Sequence, residues 1–479
     1  MRCLSLAKIL KKYGWKIVLA SIKETAEIVP FVNNIFDELY FLSGENRSEV
    51  KFLKEQLPDG CKLLIVDNYN LDKSFESELV SWAEKILVID DLADRKHYCD
   101  FLVDVTPDRS IEDYRDKLSD QTLLLTGPKY ALLEDRFFSE RTFSLNRRSL
   151  HITKVRVLIS VGAVDPSNLL LKILSAVRTL NDQCEFYIVL GTQFTNKDKV
   201  NHFCKKNNIS AKIYTSTNEM PLLMSNADIS IGASGHSAFE RCCLGLPSVV
   251  ITTAKNQELV ANSLKDNVAA IVLGSHESVS EDEILSNTKK LIADHDLRYS
   301  LSRNAQKLCD GKGVLRTYLA ITDPFFTQDG GSISLRLVES EDQDLIFKWQ
   351  SHPDTRRYAH DQSEITLEKH KKWMHKNLSD SEKIFLMIIY NEEPAGAIRL
   401  DKVSEGDVMD ISIYISPDMY RKGIANASVS LTLDIFNTVT FGAKVFPENI
   451  ASNRLFRKLG FKKVQNNYYM FMPESNIID

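Results

Sequence analysis

Two short stretches carry residues whose types and spacing suit the binding of a diphosphate. The first is GASGHSAFE (232–240). A strand expected to end at Ile231, a turn with Gly232 and Gly235, and a helix expected from about Ser237 leave backbone N–H groups and the positive end of a helix dipole above the strand's carboxyl end, which is an anion site. Glu240, on the first turn of that helix, either accepts hydrogen bonds from ribose hydroxyls or only complements the dipole. The second stretch is YISPDMYRKGIANAS (414–428). Gly423 and Ala425 leave room for close backbone approach, the amides from Arg421 to Asn426 open a helix as a nest for a pyrophosphate, and Arg421 and Lys422 add charge.

Other residues have weaker claims. Tyr69 follows the apolar run KLLIVD (62–67), and a polar tip at the carboxyl edge of a parallel sheet reads as a site residue, with a packed aromatic as the alternative. Asp165-Pro166 reads as an N-cap followed by proline at the first helical position, which explains the pair without a ligand. The eight cysteines, Cys3, Cys61, Cys99, Cys184, Cys204, Cys242, Cys243 and Cys309, form no C-x-x-C pair, which argues against a zinc site or a disulfide framework and for reduced, mostly buried thiols. No metal is expected.

These residues need a scaffold, and the chain supplies three blocks. Up to about residue 145, runs such as KLLIVD and KILVIDD (85–91) alternate with helical stretches, the rhythm of buried parallel strands and crossovers. From VRVLISVG (155–162) the same rhythm repeats through EFYIVLG, AKIYT, DISIGAS, PSVVITT and AAIVLG. After a helical stretch, DPFFTQDGGSIS (323–334) reads as a linker, and from Ile333 the pattern turns antiparallel, with a hairpin IFLMIIYNEEPAGAIRL turning at NEEPAG. A length of 479 residues with 43% hydrophobic and 26% charged residues suits two or three ordinary globular domains. A net charge of -5 carries no nucleic-acid signature, and no apolar run reaches membrane-spanning length or forms a signal peptide, so the expected setting is the cytoplasm, with no nucleic-acid or membrane partner.

The spacing from Gly235 to Glu240, GLP (245–247) before a strand, and Asn256-Gln257 opening the next helix resembles the C-terminal lobe of nucleotide-sugar enzymes of the GT-B fold. With VDNYNLD (66–72), IDDLADRKHYCDFLVD (89–104), LLLTGPKYALLEDRF (123–137) and ISVGAVDPSN (159–168), residues 1 to 320 resemble the UDP-2,4-diacetamido-2,4,6-trideoxy-β-L-altropyranose hydrolase family of pseudaminic acid biosynthesis. The resemblance implies hydrolysis of the sugar C1–O bond with loss of UDP and without a metal. By the same resemblance Tyr69 and Asn256 would line the sugar pocket between lobes, Gly235, Ser237 and Glu240 would hold UDP, and Gly162, Asp165 and Asn168 would stand, with a weaker claim, at the pocket rim.

The chain opens MRCLSLAKILKKYG, a helix with Gly14 as its cap and Trp15 to Ala20 as the following strand. Members of that family place a strand and a G-x-G-H turn just before this helix, and the histidine of the turn is the implied general base. Either the recorded start is an internal methionine, the favoured expectation, or the hydrolase half is an inactive binding or packing module. A missing central strand would leave two unpaired strand edges. His97 and His236 lie near pocket elements, without a glycine turn at the family's place.

Farther on, the 414–428 stretch, with AKVFPENIASNRLFRKLGFKKV (443–464), resembles the GCN5-related N-acetyltransferase family from about Ile333 to Phe471. In that family the strand 411–415 splays from its neighbour. The resemblance implies that Ile413 and Ile415 bond pantetheine through their backbone, that Arg421, Lys422, Gly423 and Ala425 hold the pyrophosphate of acetyl-CoA, and that Asn449 and Ser452 steady the pantetheine arm or the acceptor. Arg421 stands where the family has a glycine, and Phe456 where many members have a thiolate-protonating tyrosine. Glu448 and Asp410 are options for the amine's base, or surface charges; Arg356, Tyr358, His370 and Trp373 would line an acceptor pocket.

The expected fold class is α/β, two doubly wound GT-B-like lobes (1–145 and 150–320) followed by a mixed α+β acetyltransferase domain (333–475). The expected function is a bifunctional enzyme of nonulosonic acid synthesis, serving flagellin or surface polysaccharide, that N-acetylates a UDP-linked 4-amino sugar and hydrolyses UDP from the product. The alternatives are an acetyltransferase with a UDP-sugar-binding or structural module, and a GT-B glycosyltransferase.

Overall fold

The structure is a computed structural model that describes residues 2–24, 35–44, 46–150, 154–162, 164–165, 167–191, 193–215, 217–359, 361–403 and 408–473. The chain is α/β and divides into two compact units, Met1–Lys8 with Ile17–Thr317, and Ile9–Lys16 with Tyr318–Asp479.

The helix Arg2–Lys12 begins in the first unit and ends in the second, where it closes at Gly14 (φ 81) and Trp15 N–H donates to the Leu10 carbonyl. That cap takes up Trp15, so the strand expected from Trp15 starts only at Val18. Strands β1 (Val18–Ser21) and β2 (Glu38–Phe41) pair in parallel with each other. A separate parallel sheet runs in the order β3 (Cys61–Val66), β4 (Ala83–Ile89), β5 (Phe101–Asp104), β6 (Leu123–Thr126). Among the described residues β1 and β3 each have a strand partner on one side only. Strand β5 is buried along its whole length, as expected of a strand covered on both faces.

The second parallel sheet runs β12 (Ile271–Ser275), β11 (Ser248–Thr252), β10 (Ile229–Ala233), β7 (Val155–Ser160), β8 (Cys184–Leu190), β9 (Ala211–Thr215). Strand order reverses between β7 and β10, and a crevice opens at the carboxyl ends of strands at such a switch point. The turns carrying Gly162 and Gly235 follow these two strands. Strand β10 runs two residues past the expected end, because Gly232 and Ala233 pair with Val250 and Ile251. The core beneath is aliphatic, with Val157, Ile159, Leu170, Ile173, Ile188, Ile231 and Val249 fully buried. The helix from Gly313 returns to Lys129–Ala131: a Cβ at Gly313 would stand 2.3 Å from the Ala131 carbonyl oxygen, and Arg316 reaches the Lys129 carbonyl at 3.1 Å while held by Asp310 at 2.7 Å. That contact ties the end of the second lobe to the first.

The second unit holds one eight-stranded sheet, β13 (Phe325–Phe326), β14 (Ser332–Leu337), β15 (Lys383–Tyr390), β16 (Glu393–Lys402), β17 (Val408–Ile415), β18 (Thr440–Lys444), β20 (Tyr468–Phe471), β19 (Lys462–Gln465). Among the described residues of this sheet, only β17 and β18 pair in parallel. The segment expected as a linker is a hairpin of this sheet: Phe325-Phe326 pair with Ser332-Ile333, and Thr327 N–H donates to Gly331 O at 2.8 Å. The β15–β16 turn is narrower than NEEPAG. It consists of Asn391 and Glu392, both left-handed (φ 47 and 69), the two-residue form that matches strand twist. In the same unit Tyr13 stacks on Tyr318 at 5.3 Å and meets Phe436 edge-on at 5.1 Å.

Candidate functional sites

In the first unit a polar cluster stands beyond the ends of β3 and β4. Arg2 reaches Asp67 at 2.6 Å and Asp91 at 3.2 Å, and the Tyr69 hydroxyl donates to Asp91 at 3.0 Å. Burial works against the Arg2 charge, but Asp67 and Asp91 more than offset it and hold the guanidinium ionised. Burial and Asp91 together push the Tyr69 phenol up to about 12, so it donates and does not ionise. Burial and Asp67 raise the Cys3 thiol, which rules it out as a thiolate nucleophile near neutrality. All eight cysteines are free, six of them buried. His97 is not at this edge. It lies in a fully buried network, with Nδ1 2.7 Å from Glu76.

Across the switch point, no hydrogen bond among the described residues uses the N–H groups of Gly235, His236 and Ser237; the first to close is Ala238 N–H on the Gly235 carbonyl at 2.8 Å. Gln257, which spacing did not single out as a site residue, braces this turn by accepting from the Ser234 hydroxyl at 3.3 Å and the Thr253 N–H at 3.2 Å. Asn256 beside it is exposed, and so is Tyr69. Gly162 (φ 111) follows β7 in a conformation that favours glycine. The helix expected from Pro166 starts at Leu169, and Asp165 caps it from outside, accepting from the amides of Leu169 and Leu170 at 2.9 and 3.0 Å. Asn168 takes the left-handed N-cap position.

His236 and Glu240 keep part of their surface open, yet enough protein surrounds them to shift both. Burial, with the positive charge of Arg2, lowers His236 to about 4, so the ring is neutral at pH 7 and hydrogen-bonds the Leu132 backbone. Burial raises Glu240 to about 7, against the pull of Arg241. A raised carboxyl contributes its full stability below its unfolded value near 4.5 and loses it as pH climbs through 7. The wild-type chain is therefore expected to lose about 1–2 kcal/mol relative to Glu240→Gln between pH 5 and pH 8, a figure discounted for screening at the open edge. Denaturant unfolding of both proteins at the two pH values checks this, and a constant gap contradicts it.

In the second unit, β17 pairs with β18 only from Val408 to Asp410, opposite Thr440 to Gly442. Beyond that point β17 stays on β16 up to Ile415 while β18 pairs with β20, so the strands fork, and among the described residues no strand pairs with the β18-side edge of 411–415, which carries Ile413 and Ile415. Just past it, Arg421 (φ 66) and Gly423 (φ 75) both take left-handed backbone. Arg421 thus holds a conformation that favours glycine. Among the described residues, no hydrogen bond uses the N–H of residues 421–426. Gly423 is exposed, and a Cβ there would meet nothing nearer than Thr327 at 3.8 Å. Six unused amides, an open approach and the charges of Arg421 and Lys422 fit a coenzyme A diphosphate.

Residue matches to two family models follow this division of features. Residues 332–462 match the acetyltransferase (GNAT) domain, and residues 156–312 match the glycosyltransferase family 28 C-terminal domain. The chain joins these two kinds of domain. Over 97% of its length it is 25% identical to the uncharacterized protein MJ1062 of Methanocaldococcus jannaschii, covering 93% of that protein. It is 29% identical to the spore coat polysaccharide biosynthesis protein SpsG of Bacillus subtilis over 42% of this chain and 59% of that one. It is 24% identical to the acetyltransferase PseH of Campylobacter jejuni over 29% of this chain and 90% of that one.

Within the GNAT domain several expected site residues have other partners. Asn449 caps the helix Ile450–Lys458, accepting from Ser452 N–H at 3.1 Å. Phe456 is buried against Phe461. His370 is buried between Phe347 and Trp373 with Nε2 3.0 Å from the Gln343 carbonyl, so it is core and not pocket. Arg356 braces the carbonyls of Asp361 and Ser363, and Arg357 lies over the Tyr358 ring. Trp373 keeps an open edge, with Arg399 5.5 Å above its ring. No helix among the described residues is long and apolar enough to cross a membrane.

Proposed function

We propose that the chain is a two-step enzyme of nonulosonic acid synthesis, acting in the cytoplasm. It transfers acetyl from acetyl-CoA to the 4-amino group of a UDP-linked 4-amino sugar, then hydrolyses the C1–O bond of the diacetamido sugar with loss of UDP. The observation that carries the first step is the run of unused amides at 421–426 beside the fork of β17 and β18. Arg421, Lys422, Gly423 and Ala425 would take the diphosphate of acetyl-CoA, Ile413 and Ile415 the pantetheine, and Asn449 and Ser452 the far side of its arm. Acetyl-CoA supplies the activated acyl group; the chain holds it against the sheet edge and orients the amine. The names of SpsG and PseH, a polysaccharide biosynthesis protein and an acetyltransferase, support a sugar amine as acceptor.

For the second step, the amides of Gly235, His236 and Ser237 would hold the UDP phosphates, Glu240 the ribose, Gly162 the facing rim, and Tyr69 and Asn256 the sugar. A Glu240 that is half-protonated near pH 7 limits repulsion of the phosphates. In a second reading these lobes bind the UDP-sugar without cleaving it. Incubation with the UDP-linked diacetamido sugar and no acceptor distinguishes them. Release of free UDP is expected; a thermal shift without UDP release would leave a binding module.

A further inference from the structure

The lysine of the diphosphate loop is held without an acid. Lys422 is exposed, directly precedes the left-handed Gly423, and among the described residues enters no ion pair. Its Nζ lies 5.7 Å from the centre of the Tyr390 ring and 3.3 Å from the Met419 sulfur. A carboxylate in that place would cancel the charge, whereas an aromatic face and a thioether hold an ammonium and leave its charge and N–H groups for an anion.

Tyr390 is itself seated on the hairpin of β13 and β14, the segment that reads in the sequence as a linker. It ends β15 opposite Ile333, and its ring lies on Gly331: a Cβ there would stand 2.1 Å from the ring edge and 2.5 Å from the hydroxyl oxygen. The same hairpin reaches the loop, because Thr327 is the nearest neighbour of a Cβ at Gly423, at 3.8 Å. Thr327 is buried, with its N–H on the Gly331 carbonyl at 2.8 Å and its hydroxyl on Asp329 at 2.5 Å. Asp329 is thereby taken up within the hairpin, where Thr327, helped by the Tyr390 hydroxyl, holds its carboxyl below the usual range.

We propose that Tyr390, seated on Gly331, is a positioning residue that holds the Lys422 ammonium, charge intact, for the diphosphate of acetyl-CoA. This rests on the acetyl-transfer reading above. The effect passes through the lysine. The ring restricts a long side chain that otherwise samples many rotamers, so less freedom is lost when the phosphate binds. An aliphatic residue at 390 would release Lys422 into water, and part of the binding energy would go into ordering it again. The hairpin then belongs to the coenzyme site.

The test is calorimetry of the full chain with coenzyme A, for wild type, Lys422→Gln, Tyr390→Leu, Tyr390→Phe and the double variant Tyr390→Leu/Lys422→Gln. Lys422→Gln is expected to weaken binding about tenfold, and Tyr390→Leu about three- to tenfold. Tyr390→Phe keeps the aromatic face and is expected to stay within about twofold of wild type. The double variant is expected to match Lys422→Gln within about twofold, because the ring has nothing left to position. Losses that multiply in the double variant overturn the proposal, since a ring that only braces the sheet acts independently of the lysine. Dephospho-coenzyme A, which keeps the diphosphate and lacks the 3′-phosphate, is expected to show the same losses; losses confined to coenzyme A overturn the diphosphate assignment. Where Tyr390→Leu does not fold, Gly331→Ala, which displaces the ring without removing it, is expected to lose about threefold or more, and wild-type affinity there overturns the proposal. A wild-type chain that binds no coenzyme A overturns the acetyl-transfer reading itself, and with it this proposal.

Discussion

Replacing Gly423 with valine is expected to weaken acetyl-CoA binding about a hundredfold or more, equivalent to about 3 kcal/mol. Gly423 sits at φ 75 as the N-cap of the helix Ile424–Ile435, with no side-chain cap bond. A β-branched residue in that conformation costs about 1–2 kcal/mol in backbone strain. In the free protein the new side chain meets open space, with Thr327 at 3.8 Å as the nearest neighbour of a Cβ, so the unit should still fold. The larger loss comes in the complex, because the added atoms occupy the ground in front of the amides of residues 421–426, where the diphosphate must approach. Calorimetry with coenzyme A measures it, and an affinity within threefold of wild type would contradict the role of this loop.

The second large effect lies under the Tyr69 cluster. Asp104 is fully buried and accepts from the Thr106 amide at 2.9 Å, Arg109 Nε at 2.7 Å and the Tyr114 hydroxyl at 2.9 Å. Burial drives its pKa upward while these three partners oppose the shift. Asp104→Ala removes the buried partner of Arg109, leaving its charge only the longer contact to Asp113 at 3.6 Å, and the expected cost is about 3 kcal/mol. The network reaches the candidate site, because Arg109 also donates to the Asp91 carbonyl at 3.2 Å and the Asp91 carboxylate holds Tyr69 and Arg2. Asp104→Asn, which keeps shape and some bonds, should lose less. Denaturant unfolding reads both, and a loss under 1 kcal/mol for the alanine variant would mean that the network is not held by this carboxylate.

Much of the scaffold was legible because buried parallel strands are short apolar runs between turns; the strands of the second lobe lie where their runs predict, within about two residues. The hairpin at 325–333 was not, since Asp, Pro and Gly punctuate linkers and turns alike, and only pairing with Ser332-Ile333 separates the two. The diphosphate loop was legible through Gly423, whereas the left-handed Arg421 was not: an arginine adopts that conformation only when its neighbours hold it there. His370 reads as polar, yet a neutral imidazole with one satisfied nitrogen packs between Phe347 and Trp373. The Arg2–Asp67–Asp91 cluster and the Tyr468–Asp410 pair join residues 22 to 89 positions apart and exist only through the fold.

Acetyl transfer to a nucleotide-linked amine can be read by mass analysis of a single incubation. The full chain is given acetyl-CoA and a UDP-linked 4-amino sugar. The expected product is that sugar carrying one more acetyl group, with one free coenzyme A thiol released for each sugar converted. An unchanged nucleotide sugar after full exposure, while the chain demonstrably binds acetyl-CoA, would contradict it.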